Sequence, residues 1–343
     1  MSHPLLERQL KKGTIKPVYL FYGEEEFLMR RALARLEAWL LQSNSLGGKV
    51  ILEAINVSLA DTLNAARSPL LWGGQQLVVL WGVERYKAKD LTPLSKYLEA
   101  PSAWTCLVLV AVGLKAKDVE TSKLWRSLLE QQAALAFPRL REREVLKWLE
   151  EEAKKQGKSL GPGVARILLE MVGANLADLD QQLEKLVLYT GSTPGISAEA
   201  ARTLASHSRV HSIFELVESL GQSRPEKALT VLHRLLELGE PPSVVVVMLA
   251  RQIRLLWRTC EALQQGLDAD HLAKELGVLP FVAQKLHAQA ANFSPRRLQE
   301  QLLALQEADL QIKTGMAAPH LLLEKVILDL CPLAGLRSGP TWH

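Results

Sequence analysis

Lys16–Arg31, KPVYLFYGEEEFLMRR, is the stretch that decides the fold. Val18 to Tyr22 is a run of β-branched, aromatic and aliphatic residues, the composition of a buried strand. Gly23 interrupts it, and Glu24, Glu25 and Glu26 then open an amphipathic helix over 24–42, with acids in its positive first turn. A first strand, a glycine and a helix start form the place where a nucleotide-binding α/β domain keeps its phosphate loop. A working loop needs GxxxxGK[ST], with backbone N–H groups around phosphate oxygens and a lysine facing them. Three carboxylates hold that place here, and they repel a triphosphate. Taken alone, the same pattern describes a well-capped helix without any ligand, and that reading is the simpler one.

Outward from this stretch, strands and helices alternate. Val50–Ile55, Leu77–Trp81 (LVVLW), Thr105–Ala111 and Ala133–Pro138 read as further strands. Helices are expected near 58–67, 89–98 and 121–131, the first capped by Ser58 with Asp61 in its opening turn. The LGG at 46–48 reads as a break. LVVLW is apolar throughout, as expected where both faces of a strand are covered. This alternation argues for an α/β domain over 1–139, a mostly parallel sheet with helices on both faces.

From Arg141 the strands stop. Helices over 144–156, 162–172, 176–189 and 196–205 fit a small helical lid domain at 140–208, with Gly157 at a C-terminal cap. Gly157–Ser159 spells GKS, but no glycine stands five residues upstream and a helix precedes it, so it is no phosphate loop. Residues 209–343 are helical in pattern throughout, over 212–220, 225–238, 242–264, 269–275, 280–291, 295–313 and 318–330. Ser294 and Pro295 are a strong helix start. Leu298, Leu302, Leu305 and Ile312 recur at helical spacing and form one apolar stripe. No 20–50-residue repeat is evident.

The totals exclude several classes. At 343 residues and 48% hydrophobic, the chain suggests two or three globular domains. Its uncharged apolar runs, such as Ser243–Ala250, are far short of the ~20 residues a membrane helix needs, so no membrane partner is expected. The opening MSHPLLERQLKKG lacks an apolar signal core. Cys106, Cys260 and Cys331 are too far apart for a CxxC motif, which argues for a reducing cytoplasm and against a structural zinc. Net charge is +4; residues 1–208 hold 27 Lys and Arg against 23 Asp and Glu, and 209–343 hold 14 of each. That balance does not describe a dedicated nucleic-acid binder with a strongly basic face.

Candidate chemistry is sparse. His207 and His211 share a helix face, but no HExxH glutamate or nearby cysteine accompanies them, so no metal is expected. No GxSxG elbow is present, and no catalytic residue or cofactor is expected. Arg251, Arg254 and Arg258 fall on one face of a long helix, where they meet a phosphate backbone or neighbouring subunit, or else form ordinary ion pairs. Asp309 and Lys313, four apart with the acid first, then Gly315, read as a structural pair and a helix stop. Ser68–Gly74, SPLLWGG, is the most informative stretch after the opening one. Leu70, Leu71 and Trp72 lie in a connection, where each such side chain gains ~1.5–3 kcal/mol by burial. Either they tuck into their own domain's core, or they serve a partner.

KPVYLFYGEEEFLMRRAL resembles the opening of the delta subunits of bacterial DNA polymerase III clamp loaders. The resemblance continues through SIFELVESLG (Ser212–Gly221), LARQIRLL (Leu249–Leu256) and the last segment with Asp309, Lys313 and Gly315, in order along nearly the whole chain. It implies an AAA+/RecA-like α/β domain without a working phosphate loop, then a helical lid and an all-α collar. It further implies a non-hydrolysing subunit of the polymerase III holoenzyme, a nucleotidyltransferase complex, that binds the sliding clamp and stabilises its opened ring. Its partners would be the ATPase subunits, delta-prime and primed DNA within the complex. In that family an adjacent pair of large apolar residues just before the third strand plugs a pocket on the clamp. Counting back from the strand, the pair falls on Leu71 and Trp72, or one register earlier on Leu70 and Leu71. The rival readings are an active AAA+ ATPase, which needs a phosphate-binding lysine after the first strand, and a helical adaptor unrelated to replication.

Overall fold

The computed structural model describes residues 3–43, 46–70, 73–205, 209–315 and 318–331. The chain divides into two compact units, residues 1–140 and 141–343.

In the first unit the elements run α1 (Pro4–Lys12), β1 (Val18–Gly23), α2 (Glu26–Gln42), β2 (Leu46–Glu53), α3 (Leu59–Arg67) and β3 (Gln75–Trp81). They continue with α4 (Thr92–Glu99), β4 (Thr105–Val112), α5 (Ala116–Thr121), α6 (Lys123–Glu130) and β5 (Ala134–Phe137). The strands form one sheet in the order β2-β3-β4-β1-β5, every neighbour parallel. Parallel neighbours require crossover connections, and the helices supply them. β1 lies between β4 and β5 and buries alternate side chains on opposite faces. Val18, Leu20 and Tyr22 share a core with Leu59 and Leu63 of α3, Leu94 and Tyr97 of α4, and Trp125 and Leu128 of α6. Tyr19 and Phe21 point the other way, with Phe21 packed 5.3 Å from Phe137 between ring centroids.

One element was not anticipated, and one local expectation is corrected. The opening segment forms α1, whose Leu6, Gln9 and Leu10 are buried and which ends at Gly13 in a left-handed conformation. The Tyr19 hydroxyl donates to Gln9 Oε1 at 2.8 Å, and Gln9 Nε2 donates to the Gln132 carbonyl at 2.8 Å, tying α1 to the sheet. The LGG of residues 46–48 is not a break but the first half of β2. At α3 the capping box is present as expected, with Ser58 Oγ accepting from the Asp61 N–H.

The second unit opens with α7 (Glu142–Lys155), β6 (Ser159–Leu160), α8 (Val164–Val172), α9 (Leu176–Thr190), β7 (Gly195–Ile196) and α10 (Ala198–Ala205). Strands therefore do not stop at Arg141: β6 and β7 make a two-residue parallel pair. Beside it, the lysine of GKS is a structural pin. Lys158 Nζ is buried and donates to the carbonyls of Gly191 and Thr193, both at 2.6 Å, drawing the loop after α9 onto the end of α7.

The remaining helices are α11 (Arg209–Gly221), α12 (Pro225–Glu237), α13 (Pro242–Gln264), α14 (Ala269–Leu276), α15 (Pro280–Ala290), α16 (Pro295–Thr314) and α17 (Pro319–Leu330). Five of them begin on proline, whose missing N–H costs nothing at a first helical position. One core runs through them from Ile213 to Cys331, with Leu249, Ile253 and Leu256 of the 23-residue α13 among its members. On α16, Leu298 and Leu305 are fully buried, while Leu302 and Ile312 flank that core. Among the described residues no helix is long and apolar enough to cross a membrane.

Candidate functional site

Two places in the first unit bear on function: the helix start after β1 and the connection before β3. At the first, Gly23 has φ +127°, and a Cβ built on it would lie 2.2 Å from the Phe137 carbonyl oxygen. That same oxygen accepts the main-chain N–H groups of Glu24 and Glu25 at 2.9 and 3.0 Å. Donors at a helix start are the groups that would otherwise face an anion. Here the end of β5 takes the two N–H groups leading into the helix, and α2 begins only at Glu26, two residues later than its sequence suggests. Burial pushes the Glu25 carboxyl above its ordinary range, with Arg139 opposing the shift. Glu26 is committed to Arg30, 2.6 Å away. No lysine stands in this turn, and the N–H groups of Glu24 and Glu25 are taken by Phe137, so the turn lacks the parts of a phosphate loop.

The second place is organised by glycines. α3 ends at Ser68, whose Oγ donates to the Asn64 carbonyl, and Thr105 Oγ1 at the start of β4 donates to the Ala66 carbonyl at 2.7 Å. Leu70, half-buried, follows Pro69 and lies over Gly47 and Gly48 of β2. Its Cδ1 is 2.9 Å from where a Cβ on Gly47 would stand, and its Cδ2 is 3.1 Å from one on Gly48. The Gly73 carbonyl oxygen comes closer still, 2.3 Å from that Gly47 position. Gly73 N–H donates to the Leu70 carbonyl at 3.2 Å. Gly73 and Gly74 both have positive φ, +73° and +88°, which only glycine adopts cheaply. Leu71 and Trp72 themselves lie outside the described residues. The contact between Leu70 and Gly47–Gly48 was not anticipated; the only trace of it in the sequence is a second doubled glycine.

The other singled-out residues belong to the second unit. Arg251, Arg254 and Arg258 are all exposed on α13. Arg258 Nη2 donates to the Glu275 carbonyl at 2.9 Å near the end of α14, so it braces two helices. Among the described residues neither Arg251 nor Arg254 has an ion-pair partner. Lys313 Nζ meets Asp309 Oδ2 at 2.5 Å, and Gly315 caps α16 with φ +68°, both structural roles. His207 lies outside the described residues. His211 is half-buried, and burial lowers its pKa. No group of three metal-binding side chains occurs among the described residues.

A model of the DNA polymerase III delta subunit matches residues 19–136, and a model of the C-terminal domain of the same subunit matches residues 210–330. The chain belongs to the DNA polymerase III delta-subunit family. The first match spans the sheet from β1 to β5 and the second spans α11 to α17. DNA polymerase III subunit delta of Bacillus subtilis is 26% identical over 332 residues, covering 94% of this chain and 95% of that protein. A probable DNA polymerase III subunit delta of Aquifex aeolicus is 22% identical over 304 residues, 85% of each. Among solved structures, the Bacillus subtilis DNA clamp loader delta protein aligns with a TM-score of 0.67 at 25% identity, over 95% of this chain and 98% of that one. The delta-family fold is thus a parallel α/β sheet followed by helices.

Proposed function

We propose that this delta-family chain binds the sliding clamp through its first domain and stabilises the opened ring for loading onto primed DNA. The observation that carries the reading is the family match across both units. The acidic turn after β1, closed by Phe137 and without a phosphate-loop lysine, supports it, because a chain without a phosphate loop acts by binding rather than hydrolysis. In this account residues 1–139 contact the clamp, 140–208 form the lid, and 209–343 form the collar that assembles with ATPase subunits and delta-prime in the cytoplasm. The exposed Arg251 and Arg254 face a neighbouring subunit or DNA within the complex. Arg258 is the poorer candidate, being held by Glu275.

Leu71 and Trp72 are the plug on this reading. Leu70 is partly consumed by its contact with Gly47 and Gly48, which favours the later of the two registers. Anchors of this kind contribute ~2 kcal/mol or more when truncated, about thirtyfold in affinity. The test is Leu71→Ala combined with Trp72→Ala, read by surface plasmon resonance on immobilised clamp and by thermal melting. Severe loss of affinity at a preserved melting temperature is expected. Unchanged affinity in a folded protein would move the site, and a collapse in melting temperature would return both residues to the core.

A further inference from the structure

We infer that Gly47 and Gly48 on the edge strand β2 form a seat that sets how the following clamp-contact pair is presented; this rests on the plug reading of Leu71 and Trp72. Three observations meet here. First, the pairing of β2 with β3 is irregular at this point: Leu46 pairs with Gln75 and Gly48 with Gln76, so Gly47 is an extra residue in the ladder. Such bulges bend an edge strand and re-aim what packs on it. Second, Leu70 and Gly73 come down onto this bulge, with the Gly73 carbonyl over Gly47 and the Leu70 δ carbons over both glycines. Third, neither Gly47 nor Gly48 has a positive φ, unlike Gly73 and Gly74.

The third observation separates a seat from a turn. A glycine with ordinary backbone angles is not needed for its own conformation, so what excludes a side chain here is the approach of another segment. A methyl group on Gly47 is compatible with β2 itself but meets a backbone oxygen at 2.3 Å, and a carbonyl cannot rotate away as a side chain can. Gly73 must then move, and Leu70, whose carbonyl accepts its N–H, moves with it. On Gly48 the methyl meets only the terminal carbons of Leu70, a softer contact. Leu70 and Gly73 bracket Leu71 and Trp72 covalently, so displacing the brackets displaces the contact pair without changing either side chain.

The experiment compares full-length Gly47→Ala, Gly48→Ala, Ile51→Ala and the double variant L71A/W72A for clamp affinity by surface plasmon resonance, with thermal melting of each. Ile51, exposed further along β2, controls for any effect of substituting the edge strand. Gly47→Ala should lose on the order of tenfold in affinity at a near-wild-type melting temperature, as misplacement of a binding element by an ångström does. Gly48→Ala should lose less, about threefold, and Ile51→Ala nothing. If Gly47→Ala melts far below the wild type, Gly48→Ala carries the test. Wild-type affinity in both glycine variants, with L71A/W72A impaired, overturns the seat and leaves the plug standing. Wild-type affinity in L71A/W72A overturns both.

Discussion

Gly23 and Phe137 meet so closely that a Cβ on the glycine would fall 2.2 Å from the phenylalanine's carbonyl oxygen. That oxygen also takes the N–H groups of Glu24 and Glu25, so the turn leading into α2 is closed by β5 and carries acids where a phosphate loop carries a lysine. The isolated protein should therefore show no saturable binding of a fluorescent ATP analogue and no magnesium-dependent phosphate release. Micromolar binding with turnover would contradict this.

The same contact makes Gly23 irreplaceable. Its φ of +127° is a region that side chains avoid, and the backbone oxygen of Phe137 leaves no room. Gly23→Ala should lower stability by about 3 kcal/mol, strain and clash acting together. Urea titration followed by circular dichroism measures it; a loss below ~1 kcal/mol would show that β5 withdraws easily.

Lys158 supports the second unit in a comparable way. Methionine there keeps the length of the side chain and removes the donor, leaving the carbonyls of Gly191 and Thr193 with one partner fewer. Lys158→Met should cost ~1.5–3 kcal/mol, the range for hydrogen bonds to a charged group. Wild-type denaturation would mean that water replaces the ammonium at no cost.

The sheet was legible because its strands must be apolar on both faces, and LVVLW or TCLVLVA can hardly be anything else. α1 was not, since its nine residues carry few apolar positions and acquire meaning only when Gln9 meets the Tyr19 hydroxyl. The start of β2 hid behind two glycines of poor strand propensity, whose use is the approach of Leu70 and Gly73. β6 and β7, two residues each, are too short for any periodicity. The GKS could be dismissed as a phosphate loop from its spacing, but the carbonyls that Lys158 holds lie over thirty residues on. At the candidate site the apolar SPLLWGG stood out by composition, whereas the approach of Leu70 and Gly73 to β2 is a tertiary contact.

His211 links stability to pH. Burial lowers its pKa, with Lys285 and Arg234 adding to the effect and Glu215 and Glu218 opposing it. The fold thus favours the neutral ring, so its contribution is complete above the ordinary histidine range and is lost as pH falls below about 6.5. Glu215 is held below its ordinary range because Arg234 and Lys227 outweigh its burial, so its own loss comes at more acid pH. His3, which burial also lowers, titrates in the same sense in the first unit. Thermal melting between pH 8 and 5 should fall less steeply for His211→Gln than for the wild type. Parallel curves would remove His211 from the account.

Stabilising an opened ring requires that the chain bind an open clamp better than a closed one, since a ligand shifts an equilibrium only by its differential affinity. The measurement is the affinity of the full-length protein for two forms of the clamp: a ring held shut by cross-links across every interface, and a subunit whose ring interface is disrupted by substitution. The account predicts markedly tighter binding to the disrupted form, with that binding lost in L71A/W72A. Equal affinity for the two forms would contradict it.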